Sequence, residues 1–156
     1  MTKPRPPHFN HVAMSLPPDR LLAGPREELI DFYGEVFGWT HLAMMDIDAK
    51  RMVFQTYSLE QFVFLHGDDN AMQCPRLDHY GFSVANEEEL DAILGKAKAY
   101  QQRDDRVDII DKHRDDHGTI AITACYIGFL LPMMVEIQWW EKSWEREASP
   151  QTSSPL

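Results

Sequence analysis

The sequence predicts an α+β domain in which a βαβββ module is used twice. The chain of 156 residues is long enough for one domain, or for two small modules that share a core. Its apolar fraction of 44% is typical of a folded globular protein. A strand, a helix and three strands can be assigned in order along the chain, and the same order then begins again.

The first module is predicted over about residues 8–67. A strand over Phe9–Leu16 precedes a helix that begins near Arg26 and ends at Gly38. Large apolar residues recur at helical spacing from Leu29 to Phe37. Three apolar stretches separated by turn residues then predict strands over 39–47, 50–57 and 61–66.

The second module is predicted over about residues 76–140. It begins with a strand over Arg76–Val84, and Asn86 then caps a helix in which Glu89 completes a capping box. Three further strands are predicted at about 106–112, 118–127 and 133–140. The polar end of the chain, residues 145–156, is predicted to be a disordered tail.

A short motif also repeats at the start of each module. Asn10–Leu16 and Asp78–Val84 both read polar, His, large, small, large, Ser, aliphatic, with an offset of 68 residues. Each copy is followed by a helix start that contains Glu-Glu-Leu, at 27–29 and 88–90. The two segments therefore indicate one structural unit used twice.

The repeat places one histidine on the same face of each opening strand. Side chains alternate between the two faces of a strand, so each histidine shares its face with small residues. The two sets are His11 with Ala13 and Ser15, and His79 with Gly81 and Ser83. Such faces are expected to line a cavity, whereas the alternative is that each histidine is a hydrogen-bonded core residue.

A carboxylate interrupts the last predicted strand. Glu136 lies within the apolar run Met133–Trp139, and a buried carboxylate requires a partner such as a metal ion. The alternative is an edge strand on which Glu136 points into water. Two histidines and one carboxylate form a set that binds a divalent metal and leaves coordination positions open.

These segments resemble the vicinal oxygen chelate superfamily, which includes glyoxalases, extradiol dioxygenases, epimerases and antibiotic-resistance proteins. The resemblance covers about residues 8–140 and rests on four segments, namely Asn10–Ala13, Asp31–Trp39, Asp78–Phe82 and Val135–Ile137. It implies a cupped half-barrel around a metal site. Its metal ligands would be His11, His79 and Glu136.

The number of ligands bears on the reaction. Glyoxalase-like and epimerase-like members usually add a fourth ligand from the last strand of the first module, where Phe64 aligns with Glu136. A shift of that alignment would bring in Gln61 or His66. Three ligands suit iron(II), which must accept both a bidentate substrate and dioxygen, with Mn, Zn, Ni or Co as alternatives.

A second pattern resembles extradiol dioxygenases. His117, Tyr126 and Glu136 have the family's spacing, which implies that His117 and Tyr126 flank the substrate as catalytic residues. A regular strand would put the first two on opposite faces, so a bulge is required. The segment Tyr126–Pro132 departs from the family pattern because its proline is displaced and no acidic residue precedes it. The alternative is that His117 lies at a loop edge and Tyr126 packs in a strand.

The resulting hypothesis is extradiol dioxygenase-like chemistry on a small substrate with two neighbouring oxygens. The alternatives are a glyoxalase-like or epimerase-like lyase or isomerase, and a non-catalytic protein that binds a small molecule. His113 is predicted to lie in a solvated turn, apart from the site.

Charge and composition exclude other classes of partner. A formal net charge of −10 argues against nucleic acid and anionic membranes. No apolar run approaches the ~20 residues that would span a bilayer. Two cysteines make a disulfide framework unexpected, which favours a cytoplasmic location. The expected partners are a small-molecule substrate and a second copy in a homodimer.

Overall fold

The computed structural model describes residues 6–148, and these divide into two compact units. Of these residues, the first unit contains 6–75 and Leu130–Pro132. The second contains Arg76–Phe129 and 133–148.

The first unit contains one helix and a four-stranded mixed sheet. The strands lie in the order β1-β4-β3-β2, with β1 parallel to β4 and the other neighbours antiparallel. Its elements are β1 (His11–Leu16), α1 (Ala23–Phe37), β2 (Thr40–His41), β3 (Arg51–Gln55) and β4 (Phe62–Gly67). Two short 3₁₀ segments, Pro18–Leu21 and Ala43–Met45, lie in the connections.

The second unit repeats this topology with the strand order β5-β8-β7-β6. Strand β5 is parallel to β8, and the remaining neighbours are antiparallel. Its elements are β5 (His79–Val84), α2 (Glu87–Gln101), β6 (Asp108–Asp116), β7 (Ile120–Gly128), β8 (Met134–Lys142) and α3 (Ser143–Ala148). The predicted α+β fold with two βαβββ modules is therefore confirmed.

Helix α1 is fixed by its apolar face and by its C-terminal glycine. Phe32, Tyr33 and Val36 are fully buried, and the Tyr33 ring stacks on Trp39 with 4.8 Å between ring centroids. Gly38 ends the helix in the left-handed conformation with φ of 71°, which costs little for a residue without Cβ. The helix begins at Ala23 rather than near Arg26, because proline is tolerated in the first helical turn.

Helix α2 begins at the predicted cap. The Asn86 side chain accepts a hydrogen bond of 2.9 Å from the backbone N–H of Glu89. The Glu89 carboxylate in turn accepts from the N–H of Ala85, one residue before the cap, at 2.9 Å. Both interactions satisfy backbone donors that the helix itself leaves open.

Two predicted segments differ from the structure. The predicted strand 39–47 is only two residues long, because Asp46 turns away to accept hydrogen bonds from Arg26 at 2.6 Å and His41 at 2.8 Å. Residues 145–148, predicted as the start of a disordered tail, lie in α3, and Lys142 at the end of β8 pairs with Glu145 at 2.8 Å. The rest of that prediction, 149–156, lies outside the described residues.

Within residues 6–148, no helix combines the length and the apolar character needed to cross a membrane.

Candidate metal centre

The two opening strands present their histidines on accessible faces. In β1, Met14 and Leu16 are buried, whereas His11 and Ala13 are exposed. In β5, Tyr80 is buried on one face. The other face is exposed and carries His79, Gly81 and Ser83. The predicted division into an apolar face and a histidine face is therefore present in both sheets.

In the second sheet, His79 lies beside the buried Glu136. The His79 Nε2 atom is 3.4 Å from the Glu136 Oε2 atom. Glu136 pairs with Gly81 across β5 and β8, and a Cβ atom at position 81 would lie 3.1 Å from Oε2. Glycine at this position thus leaves the space that the carboxylate occupies.

The hydrogen bonding of His79 directs one ring nitrogen to the carboxylate. Its Nδ1 atom is 2.7 Å from the carbonyl oxygen of Leu77, which can only accept, so Nδ1 carries the proton. The Nε2 atom is thus the ring nitrogen that lies toward Glu136, and in the neutral imidazole it is the nitrogen able to bind a metal. Donor atoms bound to one ion at about 2.0–2.2 Å lie roughly 3.0–3.5 Å apart, so this spacing fits two ligands of one divalent metal.

His11 occupies the corresponding position in the first sheet. Its Nδ1 atom bonds the Asn10 side-chain oxygen at 2.8 Å, and its ring stacks on Phe62 at 4.7 Å with an interplanar angle of 8°. The same nitrogen is thus engaged in His11 as in His79, and Nε2 is again the nitrogen left for a metal.

The strand registers identify the residue that corresponds to Glu136. Gly81 pairs with Glu136 in the second sheet, and Ala13 pairs with Phe64 in the first. Phe64 therefore holds in the first sheet the position that Glu136 holds in the second, as the sequence alignment predicted, and its ring cannot bind a metal. Two residues along β4, His66 pairs with Ser15.

Tyr126 lies next to the His79–Glu136 pair. It is the cross-strand partner of Glu136, and its ring meets His79 edge-on with 5.0 Å between centroids. Burial, a hydrogen bond to the Glu136 carboxylate and the charge of that carboxylate raise the pKa of Tyr126 to about 12. Its phenol is therefore protonated at neutral pH and can donate a proton.

His117 is not brought to Tyr126. It lies in the hairpin between β6 and β7, where its N–H donates to the Ile120 carbonyl at 2.8 Å. The last cross-strand pair before this hairpin is Asp116 with Ala121. Tyr126 is five residues farther along β7, roughly 17 Å at the rise of an extended strand.

His113, rather than His117, joins His79 in contact with Tyr126. The two rings are parallel within 7°, and their centroids are 5.7 Å apart. The prediction that His113 lies in a turn is wrong, because β6 continues to Asp116. The charged run around it resembles a loop in sequence, yet Lys112 pairs with Glu87 and Asp91 of α2 at 2.9 and 2.6 Å.

Across residues 6–148, no three His, Cys, Asp or Glu side chains are grouped in a way that could hold a metal ion. The structure thus brings together two of the three predicted ligands, His79 and Glu136. The joint use of His11 with that pair stays a prediction.

A scan against family models and a search of curated proteins each found no match. Solved structures do match. Lactoylglutathione lyase from Agrobacterium tumefaciens is 18% identical, with a TM-score of 0.60 over 86% of this chain and 94% of that one. The fosfomycin resistance protein FosX from Listeria monocytogenes, in complex with Mn(II) and sulfate, is 13% identical, with a TM-score of 0.60 over 90% and 97%.

A FosX mutant in complex with Mn(II) and 1S,2S-dihydroxypropylphosphonic acid has a TM-score of 0.58 at 13% identity, over 83% of this chain and 87% of that one. These similarities concern backbone architecture. Together with the repeated sheet topology, they show that the chain shares the two-module α+β fold of lactoylglutathione lyase and FosX.

Proposed function

We propose that the protein is a metal-dependent enzyme that acts on a small substrate with two neighbouring oxygen atoms. His79 and Glu136 would bind the metal, and His11 would be the third ligand because it holds the equivalent position in its own sheet. The observation that carries the proposal is the 3.4 Å pair of His79 Nε2 and Glu136 Oε2, with Nδ1 tethered to a carbonyl.

The surroundings of Glu136 favour a cation at this pair. A buried carboxylate without a compensating charge is strongly destabilising. Across the strands, Glu136 faces Gly81 and Tyr126, neither of which carries a positive charge, and the adjacent His79 carries one only when it is protonated. A divalent ion held by Glu136 and His79 would supply that charge and leave coordination positions for a ligand.

The proposed reaction is of the extradiol dioxygenase type, with iron(II) as the preferred metal. Bound iron(II) would supply coordination sites for both substrate oxygens and for dioxygen. Phe64 supports a three-ligand site, because it stands where a fourth ligand would otherwise be. The protonated Tyr126 supports a proton donor beside the substrate, since its hydroxyl lies next to Glu136. His117, proposed from its spacing, lacks that support.

A second candidate is a lyase, isomerase or resistance-type reaction on the same metal. Lactoylglutathione lyase and Mn(II)-bound FosX share the fold, and one FosX structure holds a vicinal diol. Manganese would then be the preferred ion.

The third candidate, a non-catalytic protein that sequesters a small molecule, requires neither turnover nor metal.

Metal analysis and a substrate panel test these candidates. The metal-free protein should bind one equivalent of Mn(II) by isothermal titration calorimetry, and Glu136→Gln should weaken binding by at least tenfold. The exposed Glu60 provides a matched control, because Glu60→Gln should leave the affinity unchanged.

The panel separates the chemistries. Oxygen uptake with a catechol and iron(II) would support the dioxygenase. Turnover of a hemithioacetal or an epoxide without oxygen uptake would support the second candidate. A wild-type protein that binds no divalent metal would refute both enzymatic readings. A cytoplasmic location and a small-molecule partner belong to the same proposal.

A further inference from the structure

We infer that His113 is a positioning residue that fixes the Tyr126 ring by stacking, so that the phenol stays directed at the ligand. The inference rests on the proposed function for the identity of that ligand. It depends on three observations in the second sheet: the ring geometry, a bulge in β6 and the small residue opposite His113.

The ring geometry shows Tyr126 held from two directions. His113 covers one face of the Tyr126 ring at 5.7 Å and 7°, and His79 meets the ring edge-on at 5.0 Å and 75°. Tyr126 is also the cross-strand partner of Glu136. A tyrosine ring with neighbours on a face and on an edge has few rotamers available. Of the two histidines that contact it, His113 is the one that is not a proposed metal ligand.

The bulge determines which side chain of β6 reaches Tyr126. Ile110 pairs with Tyr126 and His113 pairs with Ala124, so two residues of β6, 111 and 112, lie opposite the single residue 125 of β7. In a regular strand, residue 112 would share a face with Ile110. The extra residue instead turns His113 to that face and leaves Lys112 to pair with α2.

The residue opposite His113 provides the space for the stack. Ala124 has only a methyl group, so the imidazole can lean diagonally over the neighbouring Tyr126. Apart from this stack, the nearest charged partner of His113 is Asp115, at 3.9 Å from Nε2, and both side chains are exposed. The His113 side chain therefore contributes little to the hydrophobic core, and its main contact is the stack on Tyr126.

The test compares His113→Ala, which removes the stack, with His113→Phe, which keeps a ring but removes both nitrogens. His117→Ala is the control, because His117 lies in the hairpin. The first readout is the aromatic NMR signal of Tyr126 in the metal-free protein, assigned with Tyr126→Phe. We expect His113→Ala to move that signal toward its value in an unfolded chain, and His113→Phe and His117→Ala to keep it near the wild-type position.

The second readout is binding of 4-nitrocatechol to the Mn(II)-loaded protein, followed by its visible absorption. His113→Ala should weaken binding by about three- to tenfold, the range that corresponds to an aromatic pair, while Mn(II) affinity stays the same. His113→Phe should recover most of the loss, and His117→Ala should match the wild type.

The outcomes separate this inference from the proposed function. Wild-type behaviour of His113→Ala in the NMR readout would overturn the positioning role. Equal losses in His113→Ala and His113→Phe would overturn stacking as its basis. If the wild-type protein binds no 4-nitrocatechol, the proposed ligand class fails, whereas the NMR comparison still decides whether His113 fixes Tyr126.

Discussion

Replacing Gly81 by alanine tests whether the Glu136 carboxylate is placed for metal binding. A Cβ atom at this position would lie 3.1 Å from Glu136 Oε2, whereas ordinary contacts begin near 3.4 Å. The carboxylate would have to retreat by about 0.3 Å, which is the difference between those two distances. Other contacts of the new methyl group, to the Cβ and carbonyl oxygen of Glu136, are relaxed at 3.9 Å.

Such a displacement should reduce metal affinity much more than stability. Disturbing the groups that orient a metal ligand typically costs about 10–100-fold in affinity. Stability should change by no more than about 1 kcal/mol, because the lower entropy of the unfolded chain offsets part of the strain. Calorimetric titration with Mn(II) and thermal unfolding without metal measure the two effects separately.

Gly95→Ala is the matched control. A Cβ atom at Gly95, which lies in α2, would meet nothing within 4 Å. This variant should therefore keep wild-type metal affinity, and its free energy of unfolding should rise by up to about 1 kcal/mol. A folded Gly81→Ala protein with unchanged Mn(II) affinity would refute the reasoning. It would mean that the position of Oε2 does not matter for the metal.

Three further predictions concern the same sheets. Phe64→Glu should raise Mn(II) affinity by at least tenfold in calorimetric titration if its strand supplies a fourth ligand, whereas Phe64→Gln should raise it much less. Tyr126→Phe should slow turnover of a verified substrate by about 10²–10⁴-fold with metal content unchanged, because it removes a proton donor; wild-type turnover would exclude that role. Arg76 lowers the pKa of Asp108 through two hydrogen bonds of 2.7 Å, so the paired carboxylate stabilises the fold above its ordinary pKa of 3.8. That stability is lost as pH falls through the lowered value, so the thermal shift between wild type and Arg76→Gln should shrink below pH 3.8.

The sequence predicted the parts of the fold that depend on local periodicity and on the repeat. The strand–helix–strand order and the Asn86 cap follow from residues close together in sequence, and the structure has them. Alignment of the two modules also matched Phe64 with Glu136, and the strand registers agree, because Ala13 pairs with Phe64 as Gly81 pairs with Glu136.

The parts that depend on contacts across strands could not be predicted in this way. The bulge in β6 changes which side chains share a face, and no residue within the charged run 111–116 marks its position. The spacing argument therefore paired His117 with Tyr126, whereas in the folded sheet the ring that stacks on Tyr126 is that of His113. Strand β2 was likewise overestimated because the hydrogen bonds that draw Asp46 away come from Arg26, twenty residues earlier.

The comparison of the two sheets shows why Phe64 bears on the number of metal ligands in the proposed site. Ala13 and Gly81 are both small and hold equivalent positions, so each leaves room for the side chain opposite. In one sheet that side chain is a carboxylate and in the other a phenyl ring, although the strand pairing is the same. Under the proposed function, these two equivalent positions are places for a metal ligand, and the residue at each would decide how many are used. A gain of affinity in Phe64→Glu would show that the first sheet contributes to the metal site and that a single substitution sets the ligand number. Unchanged affinity would instead confine the metal site to the second sheet, where His79, Glu136 and Tyr126 lie.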